Sequence, residues 1–390
     1  MLDDTVINDS LLDDGMLEDI EQLVLCESPS ADLDAVARGA DVVAELGTRL
    51  LGVGPERIVR DGRTHLRWRF GDNRQVLLLG HHDTVWPIGS LLTHPFEVRD
   101  GRLRGPGCFD MKAGLVMGFH ALAAAEDRDG VTFLITGDEE LGSPSSRDLI
   151  EDEARGLSAA LVLEASAEAG ALKTERKGVS LYDVVVHGRA AHAGLEPERG
   201  TSATIELAHQ VLAICRLGSA GVGTTVTPTR MEAGTTTNTV PADGHVAVDV
   251  RARTGAEQDR VHAALVSLQP ALDGARIEVT GGVNRPPLEA AASRALFDRA
   301  AQLAEGLGLP ALSSAAVGGG SDGNFTAGVG TPTLDGLGAV GGGAHAADEH
   351  VVIAELPGRT ALLSALVSQL LRDRRGPHTL TSSTSPGATS

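Results

Sequence analysis

Val76-Leu-Leu-Leu-Gly80-His81-His82-Asp83-Thr-Val85 is the stretch from which the fold can be read. Four apolar residues in a row stop at a glycine and deliver two histidines and an aspartate. The run is too short for a helix and reads as a buried strand. Two later runs repeat the design. Residues 131–135 lead into Gly137-Asp138-Glu139-Glu140, and residues 159–163 lead into Glu164. An apolar helix is expected between the first two, over 113–126. Strands alternating with helices imply βαβ units and a mainly parallel sheet. Ligands of such sheets bind beyond the carboxyl ends of the strands. Three strands ending in His, Asp and Glu therefore form a site pattern, although an acidic residue after one strand is usually only a solvated turn.

Outward from this core, residues 16–25 and 33–51 carry helical periodicity. The pattern changes near 178. Strands are expected at 179–186, 224–232, 244–251 and 276–280, with helices at 202–217 and 256–268. Val246, Val248 and Val250 alternate with Asp249 and Arg251, as a strand with one buried face requires. The order β-α-β-β-α-β is the ferredoxin-like unit, here inserted into a larger domain. The first style resumes with helices at 291–305 and 357–371. The expected domains are a catalytic one over 1–177 and 288–372, an insertion over 178–287, and a disordered Ser/Thr/Pro/Gly-rich tail over 373–390.

The chain of 390 residues carries 53 acidic and 33 basic side chains, a formal charge of −20. A general nucleic-acid binder needs the opposite sign. Aromatic residues are 3%, which argues against base-stacking platforms. Cys26, Cys108 and Cys215 are widely spaced and no CxxC occurs, so neither a disulfide framework nor a thiolate zinc site is expected. The acidic first residues show no signal-peptide core, and no run of 18 apolar residues exists. A cytoplasmic protein is the expectation, with no membrane and no nucleic-acid partner.

Two further segments carry chemistry. Gly105-Pro-Gly-Cys-Phe-Asp110-Met-Lys112 sets Asp110 just before the apolar helix, where it could simply be an N-cap. Gly341-Gly-Gly-Ala-His345-Ala-Ala-Asp-Glu349-His350 could be a flexible loop with surface histidines. Carboxylates and imidazoles without thiolates suit Zn²⁺ or similar divalent ions. Five ligands exceed one tetrahedral zinc and fit two metals about 3.5–4 Å apart that share a carboxylate. The adjacent Glu139 and Glu140 can then divide the work, one binding metal and the other accepting a proton from a water. These residues alone do not choose between His81 and His82.

Over about residues 15–372 the chain resembles the M20 family of dinuclear zinc peptidases and deacylases. It looks most like the glutamate carboxypeptidase (carboxypeptidase G2-like) branch. GHHDTV, GPGCFDMKAG, DEELGSPSSRDLI, GRAAHAG and the late glycine-rich loop with His345 carry the resemblance. The resemblance implies an α/β zinc-hydrolase catalytic domain whose ferredoxin-like insertion is a lid and dimerisation domain, with two Zn²⁺ per chain (Co²⁺ or Mn²⁺ possible) and a homodimer. It implies that His81, Asp110, Glu140, Glu164 and His345 are ligands, Asp110 bridging, and that His82 is the variable position. Glu139 would be the base, and Asp83 would orient His81. His192 would reach the partner's site and stabilise the oxyanion. Asn238 and Arg251 would hold a substrate carboxylate, a planar guanidinium suiting that task. Arg251 could equally be in an ordinary cross-strand ion pair.

The implied reaction is cleavage of an amide in a small peptide or N-acyl amino acid beside a free carboxylate, with release of a C-terminal, glutamate-like amino acid. Glu164 disfavours an aminopeptidase, whereas Arg176-Lys177-Gly178 looks more like the deacylase branches. The alternative is therefore an N-acyl-amino-acid deacylase, of the acetylornithine deacetylase or succinyl-diaminopimelate desuccinylase type. A remote alternative is a serine hydrolase. Gly319-Gly-Ser321-Asp-Gly323 matches a nucleophile elbow, with Asp335 and His345 following, but its preceding strand is weak.

Overall fold

The computed structural model describes residues 9–375. Of the acidic first residues, 1–8 lie outside the described residues and the rest open the helix Asp9–Leu25; all but the first three positions of the expected tail also lie outside. Among the described residues no helix is long and apolar enough to cross a membrane.

A six-stranded mixed sheet forms the core. Its order is Glu56–Arg60, Arg63–Arg69, Val131–Thr136, Val76–His81, Ala159–Val162 and Thr333–Leu334. The last four run parallel. Every residue of the three long parallel strands is buried. Both sheet faces are covered, which is why these strands are continuous apolar runs rather than alternating ones. One face meets helices Leu33–Leu51, Ala113–Ala124 and Leu356–Arg375. The other packs Leu77, Leu79 and Leu134 on Leu149, Ile150 and Phe325.

Register places the chemistry. Val76 pairs with both Val131 and Ala159, and His81 with Thr136. All three strands therefore end at one edge. The central strand runs through Gly80 to His81, two residues past the expected stop. A Cβ at Gly80 would lie 2.7 Å from Leu115 Cδ2 and 2.8 Å from Met111 Cε, so glycine lets the segment bearing Asp110 lie against the strand.

The inserted domain is an antiparallel sheet in the order Thr225–Ala233, Asp243–Ala252, Gly178–His187 and Arg276–Arg285. Helices Ala203–Cys215 and Gly255–Val266 cover one face. Val246, Val248 and Val250 are buried beneath them, as the alternation requires. This is the ferredoxin-like arrangement. Both crossings between the domains meet at one point, where Arg176 and Leu288 exchange backbone hydrogen bonds.

Candidate metal centre

His81 and His82 leave the strand on opposite sides. His82 Nε2 lies 3.0 Å from the Thr64 carbonyl, beneath the sheet edge. His81 faces the edge. Its Nδ1 lies 2.9 Å from the Asp83 carbonyl and 3.5 Å from Asp83 Oδ1. That leaves Nε2 for the site, 3.4 Å from Asp110 Oδ1 and 3.5 Å from Glu164 Oε1. Asp83 is held by Ser30 Oγ at 2.6 Å and by the amides of Glu139 and Glu140.

A second group adjoins the first. His345 Nε2 lies 3.1 Å from Glu140 Oε1 and 3.3 Å from Asp110 Oδ2. Asp110 thus presents one oxygen to each group, and five residues form two metal-sized clusters, His81–Asp110–Glu164 and Asp110–Glu140–His345. Asp110 does not cap the following helix, whose N-cap position is Lys112 with no side-chain bond. His345 adopts φ +62°, seldom seen outside glycine, within its glycine-rich loop.

The donor set fits divalent ions. His81 Nε2 is buried without a hydrogen-bond partner, although it faces two carboxylates. Donor spacings of 3.1–3.5 Å can be spanned by bonds of about 2.0–2.2 Å to a shared zinc ion. Without metal, the charges respond to one another. Burial opposes charge on His81, but Asp110, Asp83 and Glu164 outweigh it and raise its pKa well above the ordinary value. Asp110 and Glu140 push His345 up to about 10. Burial works against the Asp110 carboxylate, yet His345 and His81 hold it well below the usual range.

Glu139 adjoins Glu140, donates its amide to Asp83 Oδ1 and feels the charges of His81 and Glu164. Burial raises its carboxyl well above the usual range, and Arg285 and His81 oppose that rise. Arg285, the last residue of the lid sheet, donates from Nη2 to Glu139 Oε1 at 2.9 Å and to Ser143 Oγ at 3.0 Å. Sequence reasoning missed this arginine because Pro286 and Pro287 marked it only as a boundary. It also missed Glu349, which accepts the amides of Gly107, Phe109 and Asp110.

Three sequence candidates lie away from the clusters. His192 and Asn238 are exposed in the lid. There His192 pairs across a short ribbon with Thr239, and the Asn238 carbonyl accepts the Ala193 amide. Arg251 is bidentate with Asp249 of its own strand, at 2.8 and 2.9 Å. That is an ion pair, but along the strand rather than across it. The serine-hydrolase alternative is not supported. Ser321 Oγ is buried and donates to Asp335 Oδ2 at 2.6 Å, Asp335 is gripped by Arg176, and His345 is bound up with Asp110 and Glu140 instead. Ser321 hydrogen-bonds no histidine among the described residues.

A model of peptidase family M20/M25/M40 matches residues 77–369, well over half of the chain. Carboxypeptidase G2 of Pseudomonas sp. (strain RS-16) is 29% identical over 91% of this chain and 89% of that protein. Succinyl-diaminopimelate desuccinylase of Dechloromonas aromatica (strain RCB) is 27% identical over 92% of this chain and 100% of that protein. Among solved structures, an aminopeptidase of Bacillus cereus ATCC 10987 superposes with a TM-score of 0.69. That match covers 92% of this chain and 98% of the other at 23% identity, a likeness of fold.

Proposed function

The chain belongs to peptidase family M20/M25/M40 and is a hydrolase of that family, and from that premise we propose how it works and on what. His81, Asp110 and Glu164 would hold one divalent ion and Asp110, Glu140 and His345 a second, Zn²⁺ by the chemistry of these donors, with Co²⁺ or Mn²⁺ as substitutes. The substrate is a small peptide or N-acyl amino acid cut beside a free carboxylate, and the released amino acid is glutamate-like. The observation that carries this reading is the pair of clusters joined through Asp110, with Glu139 next to Glu140 and its amide bonded to Asp83. The similarity to carboxypeptidase G2 supports the substrate class.

When bound, the ions would acidify a water and polarise the scissile carbonyl. Glu139 takes the proton of that water as its oxygen bonds to the carbonyl carbon, then passes the proton to the leaving nitrogen as the C–N bond breaks. Burial suits Glu139 to this exchange by favouring its protonated form between the two transfers. Asp83 fixes the ring of His81. The chain works as a dimer, and His192 of one lid serves the oxyanion in the neighbouring chain. Asn238 and Arg251 hold the substrate carboxylate, for which Arg251 must exchange Asp249 for the ligand.

A second reading, N-acyl-amino-acid deacylation, is favoured by the full-length match to the desuccinylase. One assay separates the two. Amine release from N-benzoyl-glutamate, Ala-Glu, N-acetyl-ornithine and N-succinyl-diaminopimelate is measured with metal-loaded and chelator-stripped protein. Metal-dependent cleavage led by the glutamate compounds is expected. A lead by the acetyl or succinyl compounds would move the reading to deacylase, and cleavage indifferent to chelator would overturn the metal mechanism.

A further inference from the structure

Glu349 is 3% exposed and takes part in none of the steps above. Four N–H groups converge on its carboxylate. Oε1 accepts the amides of Phe109 and Asp110 at 2.9 and 3.0 Å. Oε2 accepts the amide of Gly107 at 2.9 Å and the indole Nε1 of Trp86 at 2.7 Å. Three of these donors belong to the turn that carries Asp110, the carboxylate shared by both clusters. Gly107 has φ +68°, and a Cβ there would lie 2.5 Å from Thr84 Cγ2, so the turn is close-packed on its other side.

Glu349 belongs to the other half of the site. It lies four residues after His345 and closes that loop, its amide donating to the Ala346 carbonyl at 3.0 Å. The chain then enters the strand His350–Val352, which pairs with Arg102–Arg104, just ahead of the Asp110 turn. One buried carboxylate therefore joins the loop of His345 to the backbone of Asp110. We propose that Glu349 is a positioning residue for the metal centre, holding Asp110 and His345 at the spacing one ion requires. The inference rests on the dinuclear reading above.

Glutamine is the informative replacement. Its amide keeps one accepting oxygen, and its NH₂ must face one of the two donor pairs. The grip on the turn is halved with almost no change of volume. Full-length wild type, E349Q and W86F are stripped with chelator and titrated with Co²⁺, followed by visible absorbance and Zn²⁺ competition, with circular dichroism as the check on folding. W86F removes a single donor. The wild type should bind two equivalents. E349Q should lose about 10–100-fold in affinity at the weaker equivalent, the range found when groups supporting a metal ligand are removed. Its Co²⁺ spectrum should change and kcat should fall while KM stays near the wild-type value. W86F should show a smaller loss in the same direction. A folded E349Q with wild-type affinity and spectrum would overturn the inference. If E349Q does not fold, unchanged Co²⁺ affinity and spectrum in W86F would do the same. A wild type that binds fewer than two equivalents overturns the dinuclear reading itself, and this inference with it.

Discussion

His81 and His82 are the same side chain one residue apart, and strand alternation gives them different chemistry. One ring faces the carboxylates while the other is anchored on the Thr64 carbonyl. Burial also lowers the pKa of His82, against the opposing pull of Asp83 and the Thr64 carbonyl. Glu139 and Glu140 divide in a similar way: Glu140 reaches His345, while Glu139 is gripped by Arg285. Replacing Glu139 by Gln should therefore cost about 10²–10⁴ in kcat, the usual worth of a general base. Metal content should stay at the wild-type level, which atomic absorption would check. His345 supports a pH prediction for the chelator-stripped protein. Its folded pKa of about 10 lies above the ordinary 6.5 because of Asp110 and Glu140. The folded state then holds a proton that the unfolded state releases. The resulting stabilisation is complete below about pH 6.5 and is lost as pH rises through about 10. The Tm advantage of stripped wild type over H345A should narrow across that window, as thermal melts at stepped pH would show. A constant gap would contradict it.

At the scale of elements, the site exists because three parallel strands end in register and a fourth segment is pressed against them. The helix Ala113–Ala124 sets that pressure. Gly114 lies where a Cβ would be 2.2 Å from the Leu163 carbonyl oxygen, next to Glu164. Gly114→Ala should lower stability by about 1–3 kcal/mol, the cost of overpacking a tight core. It should also weaken metal retention by displacing Glu164, and melting together with metal analysis would test both. Boundaries of the apolar elements were legible because burial on two faces leaves uninterrupted runs. The hairpin Glu56–Arg60 and Arg63–Arg69 went unread because its strands are rich in arginine. Asp61-Gly62, both at positive φ, was the available signal for its two-residue turn.

At the scale of the molecule, His192 sits exposed on the lid and makes no bond to the clusters among the described residues. The dimer reading gives it a task in a neighbouring chain, and this can be tested without a structure of the dimer. H192A and E139Q should each be nearly inactive alone. In a mixed dimer, the site with intact Glu139 receives an intact His192 from its partner. Mixing the variants under subunit exchange should therefore restore activity, measured by amine release. Activity that remains the sum of the two variants would exclude a role across chains.

Hydrophobic periodicity and the residues after each apolar run were sufficient to read, from sequence alone, a mainly parallel sheet, an inserted ferredoxin-like domain and an edge bearing a histidine, His81 or His82, with Glu139, Glu140 and Glu164. These features are local: burial dictates apolar runs, and a strand end dictates where the next side chains point. Asp110 and His345 lie far apart in sequence; their residue types placed them among the candidate ligands, and only the resemblance to the M20 family gave each its role. Tertiary structure decided which histidine faces the edge, that Arg251 pairs with Asp249, that Ser321 bonds Asp335 rather than His345, that Arg285 bonds Glu139, and that Glu349 accepts the amides of the Asp110 turn. Those outcomes depend on groups brought together from distant parts of the chain, where a buried charge or N–H must find a partner. Local pattern does not say which partner that will be.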